Sequence, residues 1–214
     1  MKMHSEREAR GMISGGQASE SKSTTLHFED SRGKAAGRFK IESTDRKGPL
    51  WYALYPSPLG DIFIAAGSAG VTDLSIRANE AAFLERMEGR HGAAPLSRRS
   101  SFTRVFDGLD MYFSARPVAL DVVVDLSGTP FELKVWNVLR SIPWGVTRSY
   151  GWVAGRAGNG RGARAVGGAC GANPVPIIIP CHRVLRADGS LGGYTGGEDI
   201  KRALLQIEGV EFSG

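Results

Sequence analysis

The sequence predicts an α+β fold in two domains: a small antiparallel sheet with helices, then a mostly helical domain holding a helix-turn-helix. Three observations predict it. Between Trp51 and Ile76, short apolar segments are separated by turn signals, Pro58-Leu59-Gly60 and Ser68-Ala69-Gly70. Beyond Ser127-Gly128 the pattern changes to short amphipathic segments with helix-capping residues. Within that second half, two short helical segments flank Gly158-Asn159-Gly160, the spacing of a helix-turn-helix.

Residues 1–48 hold few aromatics and many Ser, Gly, Lys and Glu without a sustained period, so they read as a disordered extension. An α/β scaffold domain is expected over 49–126. Trp51–Tyr55, Asp61–Ala66 and Val71–Ile76 read as strands of a meander. Asn79 caps a helix to about Glu88, burying Phe83, Leu84 and Met87. A second helix, about Ser100–Phe113, buries Phe102, Val105, Phe106, Leu109 and either Met111 or Tyr112. Leu120–Val124 reads as a last strand, and nothing in this half reads as a site.

The second domain is expected over 127–214. Thr129 and Glu132 have capping-box spacing before a helix whose stripe is Phe131, Val135, Trp136 and Leu139. Ser149 caps a short helix to about Ala157. The next, about Gly162–Ala172, consists mostly of small residues, Ala163 among them, which suits either close helix packing or close approach to another surface. Each glycine weakens it by roughly 1 kcal/mol, so packing must hold it. Asn173-Pro174 stops that helix, and Ile177–Ile179 reads as a buried strand. The glycine-rich loop 192–197 lacks the Lys-Ser/Thr ending of a phosphate-binding loop, which excludes nucleotide binding of that kind. A last helix, about Glu198–Ile207, ends at Glu208-Gly209.

The net charge is +5, and residues 128–214, with ten Lys/Arg against six Asp/Glu, hold +4 of it, which suits either a polyanionic partner or a solubilising surface. No stretch approaches the roughly 20 apolar residues of a membrane span. The N-terminus has no apolar secretory core, and two cysteines are too few for a disulfide framework. A cytoplasmic protein is expected, or a nucleoid-associated one in a bacterium, without membrane attachment.

The site candidate is Pro180-Cys181-His182-Arg183-Val184. Proline interrupts the ladder after Ile179, leaving a thiol at the lip of a strand. A cysteine attacks as thiolate, so it needs a base or a positive field, and His182 and Arg183 are at hand. Strand neighbours point to opposite faces, so a bend or a water must join Cys181 to His182. Glu208 is the candidate to orient the histidine. On residue types alone a hydrolase, a redox centre and a buried free thiol all stay open.

Pro180–Val184 resembles the signature of the methylated-DNA–protein-cysteine methyltransferase family, which repairs O6-alkylguanine in DNA. Gly128-Thr129-x-Phe131, Ile142-Pro143-x-Gly145-x-Thr147-x-Ser149-Tyr150, Arg164-Ala165-Val166-Gly167, Asn173-Pro174, Gly193-Tyr194-x-Gly196-Gly197 and Glu208-Gly209 follow the same pattern in order. The likeness is strong over about 128–210, general over the preceding domain and absent before it. It implies a ribonuclease H-like scaffold and a winged-helix-like DNA-binding domain. It further implies that Cys181 accepts the alkyl group, His182 is the base through a water, Glu208 holds His182, Tyr150 assists the leaving group, and Asn173 ties the recognition helix to the cysteine loop. Pro176, Val184, Tyr194 and Thr195 would form the base pocket, and Ser149, Ala163 and Arg164 would meet DNA.

The implied partner is double-stranded DNA carrying O6-alkylguanine, or O4-methylthymine, bound through its minor groove by a monomer with the target base flipped out. Each molecule would react once, without cofactor or metal. Position 132 is Glu where the family commonly has Gln, at an exposed helix start. The scaffold domain has no cysteine, so the structural zinc of some members is not expected, nor is an adaptive-response regulator. A non-catalytic lesion-binding protein of the alkyltransferase-like type and a Cys-His hydrolase are the alternatives.

Overall fold

The computed structural model describes residues 24–29, 35–41, 48–158 and 162–212, the first two segments as backbone only. Those two, β1 (Thr24–Glu29) and β2 (Ala35–Ile41), pair antiparallel with Thr24 opposite Ile41. This departs from the expected disorder over 1–48, the remainder of which lies outside the described residues apart from Gly48. Short windows such as Thr24-Thr25-Leu26-His27-Phe28 hold β-formers that the polar flanks obscure. Residues 159–161, within the expected turn between two helices, also lie outside the description.

The scaffold sheet has the order β5-β4-β3-β6, from β3 (Trp51–Tyr55), β4 (Ile62–Gly67), β5 (Gly70–Ile76) and β6 (Leu96–Ser97). The first three form the meander and β6 lies parallel to β3. β4 is buried from Ile62 to Ala66 because both faces are covered. Phe63 and Ala65 meet Phe83 and Met87 of α1 (Glu80–His91). Ile62 and Ile64 face the main core with Phe102, Phe106 and Leu109, most of it from α2 (Thr103–Phe113). Asn79 caps α1, its Oδ1 accepting from Ala81 N and Ala82 N. Of the two residues left open at the end of α2, Tyr112 is buried and Met111 exposed.

The expected strand Leu120–Val124 is instead a single bridge: Val71 N donates to Val123 O at 2.9 Å and Asp125 N to Val71 O at 2.8 Å. Val123 is half exposed, so only alternate side chains there enter the core.

In the second domain α3 (Pro130–Arg140) starts with the reciprocal capping box of Thr129 and Glu132. Trp136 is buried and its Nε1–H donates to Ala169 O at 2.8 Å, docking α3 on α5 (Gly162–Gly171). Ser149 caps α4 (Tyr150–Arg156) by accepting from Trp152 N. The short strands β7 (Arg148–Ser149) and β8 (Val184–Leu185) pair in parallel, which fixes the start of α4 beside the cysteine segment. α6 (Glu198–Ile207) closes with Gly209 N to Gln206 O and Val210 N to Leu205 O, a Schellman motif with Gly209 at φ 70°.

Ile177–Ile179 is not a strand. Ile177 has φ 73°, Pro176 and Ile179 form one bridge, and a single 3-10 turn follows over Cys181–Arg183. Prolines at 174, 176 and 180 deny the segment a regular ladder. Asn173 satisfies the turn instead, its Nδ2 donating to Ile179 O at 2.9 Å while its Oδ1 accepts from Val175 N at 3.1 Å. The apolar run is buried as expected, but as a turn. One core runs through both domains, and Leu74 N donates to Pro174 O across them at 2.8 Å.

Candidate active site

Cys181 opens the 3-10 turn and is 5% exposed. Asn173 Nδ2 donates to its Sγ at 3.1 Å. Burial pushes the thiol pKa up, and the Asn173 hydrogen bond and the Lys201 charge pull against that shift. The resting group is therefore a thiol that needs a base.

Behind the cysteine lies a buried relay. His182 is fully buried and its Nε2–H donates to Glu208 Oε1 at 2.7 Å. That bond assigns the proton to Nε2 and leaves Nδ1 as the basic nitrogen. Nδ1 is buried without a hydrogen-bond partner among the described residues. Glu208 also accepts from Arg183, Nη2 to Oε1 at 2.9 Å and Nε to Oε2 at 2.8 Å, in a bidentate fork. Gly145 N donates to Oε2 at 3.2 Å and Tyr112 OH to Oε1 at 2.9 Å. A lone buried carboxylate would cost several kcal/mol, and these donors offset that cost. Burial alone raises the Glu208 pKa, but the bonds from His182 and Arg183 outweigh it and hold the group at about 2. Burial lowers the pKa of His182 despite the Glu208 contact. The site thus holds a neutral imidazole on an ionised carboxylate.

Gly145 adopts φ 70°, which favours glycine, and a side chain there would approach Glu208 O to 3.2 Å. Lys201, buried in α6, donates from Nζ to Val184 O at 2.6 Å and to Leu191 O, and lies over the Tyr150 ring at 5.8 Å. Burial brings its pKa down to about 8, against the opposing field of the two cysteines.

Two cavities meet at Cys181. One, of about 360 Å³, is lined by Tyr150, Gly167, Cys170, Gly193, Tyr194 and Thr195. The other, of about 560 Å³, passes Pro176 and Tyr194 towards β5 and α1. Both suit a small planar ligand in size. Burial, then the thiols of Cys170 and Cys181, push the Tyr150 pKa up to about 12, so it is a phenol that can donate. Gly192, at φ 67°, leaves room for it: a side chain there would come within 3.0 Å of the Tyr150 hydroxyl. The Tyr194 hydroxyl is buried, and burial and then the Cys181 sulfur push its pKa well above its ordinary value.

The structure gathers Cys181, Tyr150, Asn173, Pro176, Tyr194 and Thr195 around these cavities, with His182 and Glu208 behind. Thr195 Oγ1 donates to Gly171 O at 3.1 Å. Val184 is buried and its carbonyl is already engaged by Lys201. Ser149 is committed through its hydroxyl to capping α4. Ala163 and Arg164 lie outside the cavities, exposed on α5. The exposed Arg148 and Arg156 stack over Trp152 at 5.2 and 5.0 Å on the neighbouring helix. A side chain at Gly168 would meet nothing within 4 Å, so packing within the chain does not require glycine there.

Tyr112, Lys201 and Gly145 are contributors that the sequence reading passed over. Lys201 had a signal: it shares the i, i+3, i+4, i+7 stripe of Leu204, Leu205 and Glu208. Tyr112 had none beyond its place in an apolar stripe, since its partner is 96 residues away.

Comparisons with known proteins agree with this layout. Residues 50–126 match the ribonuclease-like domain, and 130–210 the DNA-binding domain, of 6-O-methylguanine DNA methyltransferase. A methylated-DNA–protein-cysteine methyltransferase of Saccharolobus islandicus is 41% identical over 164 residues, 76% of this chain and 98% of that protein. That of Methanosarcina acetivorans is 37% identical over 164 residues, 75% and 99% of the two chains. The crystal structure of Mycobacterium tuberculosis OGT in complex with DNA is similar at a TM-score of 0.65 and 39% identity, covering 74% of this chain and 92% of that one.

Proposed function

The chain belongs to the methylated-DNA–protein-cysteine methyltransferase family, and from that premise we propose that it repairs DNA by moving the alkyl group of O6-methylguanine onto Cys181, once per molecule. O4-methylthymine presents the same alkyl–oxygen bond and is a second substrate. The observation that carries this reading is the buried Cys181 thiol, facing a cavity of about 360 Å³ on one side and backed by the His182–Glu208 pair on the other.

His182 Nδ1 takes the thiol proton through a bridging water. The sulfur attacks the alkyl carbon and forms C–S as the C–O6 bond breaks. Guanine leaves with the bond's electron pair and receives the Tyr150 hydroxyl proton, and the proton held on His182 restores the Tyr150 phenol by way of solvent. The net change is the exchange of alkyl group and proton between sulfur and base. The thioether product has no group at the site to remove it, so the protein is consumed. Asn173 holds the sulfur in line through its 3.1 Å contact.

The reactive carbon is out of reach in a stacked duplex, so the base is flipped into the cavity. α4 and α5 supply the DNA face. The small residues of α5 let it enter a minor groove about 6 Å wide, and Arg164 fills the space left by the base. The positive charge of this domain supports phosphate contacts. The protein acts as a monomer in the cytoplasm. No helix among the described residues is long and apolar enough to cross a membrane.

Cys181→Ala tests the assignment. Methyl transfer from a labelled O6-methylguanine duplex is expected to vanish, with duplex affinity unchanged within about threefold, a difference well under 1.4 kcal/mol. Residual transfer by the variant would place the acceptor elsewhere.

A further inference from the structure

Tyr112 stands in the scaffold domain, where the sequence suggests no site, at the end of α2. It is 1% exposed. Its ring packs edge-on to Trp144 at 5.0 Å and to His182 at 6.4 Å. Its hydroxyl donates to Glu208 Oε1 at 2.9 Å and stands 3.3 Å from His182 Nε2. A tyrosine that merely filled the core could satisfy its hydroxyl on any carbonyl. This one bonds the same carboxylate oxygen that receives His182.

We propose that Tyr112 is a positioning residue for alkyl transfer, by which the scaffold domain fixes Glu208 Oε1 and, through it, the imidazole of His182. The inference rests on His182 being the base. Three donors converge on Oε1, from Tyr112, His182 and Arg183. Together they hold Oε1 against His182 Nε2, which would restrain the imidazole and the aim of its Nδ1. Tyr112 also sets the charge that His182 feels. Burial, then the Glu208 charge, push its pKa far above any working pH, so it remains a donor. The charged and titratable groups acting on His182 are Glu208, Arg183 and Lys201, and those acting on Tyr112 are Glu208 and Arg183. The Tyr194 phenol also senses Tyr112 and Cys181. Taking the Tyr112 hydroxyl away leaves the carboxylate less neutralised. The imidazolium is then stabilised, and His182 protonates at higher pH.

Tyr112→Phe keeps the ring and removes one oxygen. The measurement is the single-turnover rate on an O6-methylguanine duplex against pH, with duplex affinity and melting temperature followed in parallel. The expected rate loss at neutral pH is about tenfold, at the low end of general-base effects. The acid limb should move up by about half a pH unit or more, while duplex affinity and final adduct stoichiometry stay unchanged. A variant that melts earlier yet keeps the wild-type rate and pH profile would make Tyr112 a core filler and overturn the proposal. Should the variant not fold, the imidazole nitrogen shifts of His182 in the unaltered protein decide: a proton on Nε2 supports the relay, and a proton on Nδ1 overturns it. Failure of the underlying reading looks different. His182→Gln would then react at the wild-type rate, whatever Tyr112→Phe does.

Discussion

Cys181 is a poor nucleophile while it rests in the core. Burial raises its pKa, and in the proposed reaction it is made usable by a base, His182, that burial itself keeps neutral. In that reaction the two shifts are complementary: the thiol would hold its proton until substrate is in place, and the imidazole would be free to take it. This fixes the sign of the pH dependence. A protonated imidazole accepts no proton, so transfer is lost on the acid side. Because burial holds the His182 pKa below the ordinary imidazole value, the acid limb of the single-turnover rate should lie below the range where a free imidazole titrates. An acid limb centred above 6.5 would contradict the neutral buried base. At this scale the sequence was informative where chemistry is local. Cys181, His182, Asn173 and Glu208 stand in a recognisable pattern, and the structure brings all four together. Tyr112 was illegible because a tyrosine in an apolar helix stripe looks like any core residue until its distant partner is known.

Element boundaries followed the caps. Asn79, Thr129 and Ser149 each accept a backbone N–H at the helix start the sequence indicates, because a cap is a contact over two or three residues. The expected strands at 120–124 and 177–179 failed for the opposite reason. An apolar run reports burial, and burial is common to strands and turns. The three prolines around Ile177–Ile179 settle the matter by removing donors, and the Asn173 amide replaces the ladder. In α5 the glycine at 168 has open space around it, which favours approach to an external surface over packing within the chain. That gives the helix a testable role. Arg164→Ala should slow repair of duplex DNA at least tenfold while leaving the reaction with free O6-benzylguanine near the wild-type rate, since only duplex DNA must hold a base out. Equal losses on both substrates would remove Arg164 from base replacement.

The whole molecule is less divided than its two domains suggest. The Tyr112–Glu208 hydrogen bond joins α2 of the scaffold to the C-terminal cap of α6 in the second domain, and one core passes between them. The two-domain α+β layout was legible because the composition changes near Ser127-Gly128. The coupling was not, since it depends on how two surfaces meet. The hairpin at 24–41 was missed because its β-formers are few and set among polar residues. Charge separates by domain as well, and the domain with the larger positive balance also carries Cys181, so the proposed function assigns DNA affinity and chemistry to one unit. Intact-mass and peptide mass spectrometry after mixing with excess O6-methylguanine duplex tests the central claim most directly. The predicted result is a gain of one CH₂ per protein molecule, located on Cys181 and absent from Cys181→Ala. Methyl transfer that continues past one equivalent, or an adduct on Cys170 in its place, would contradict it.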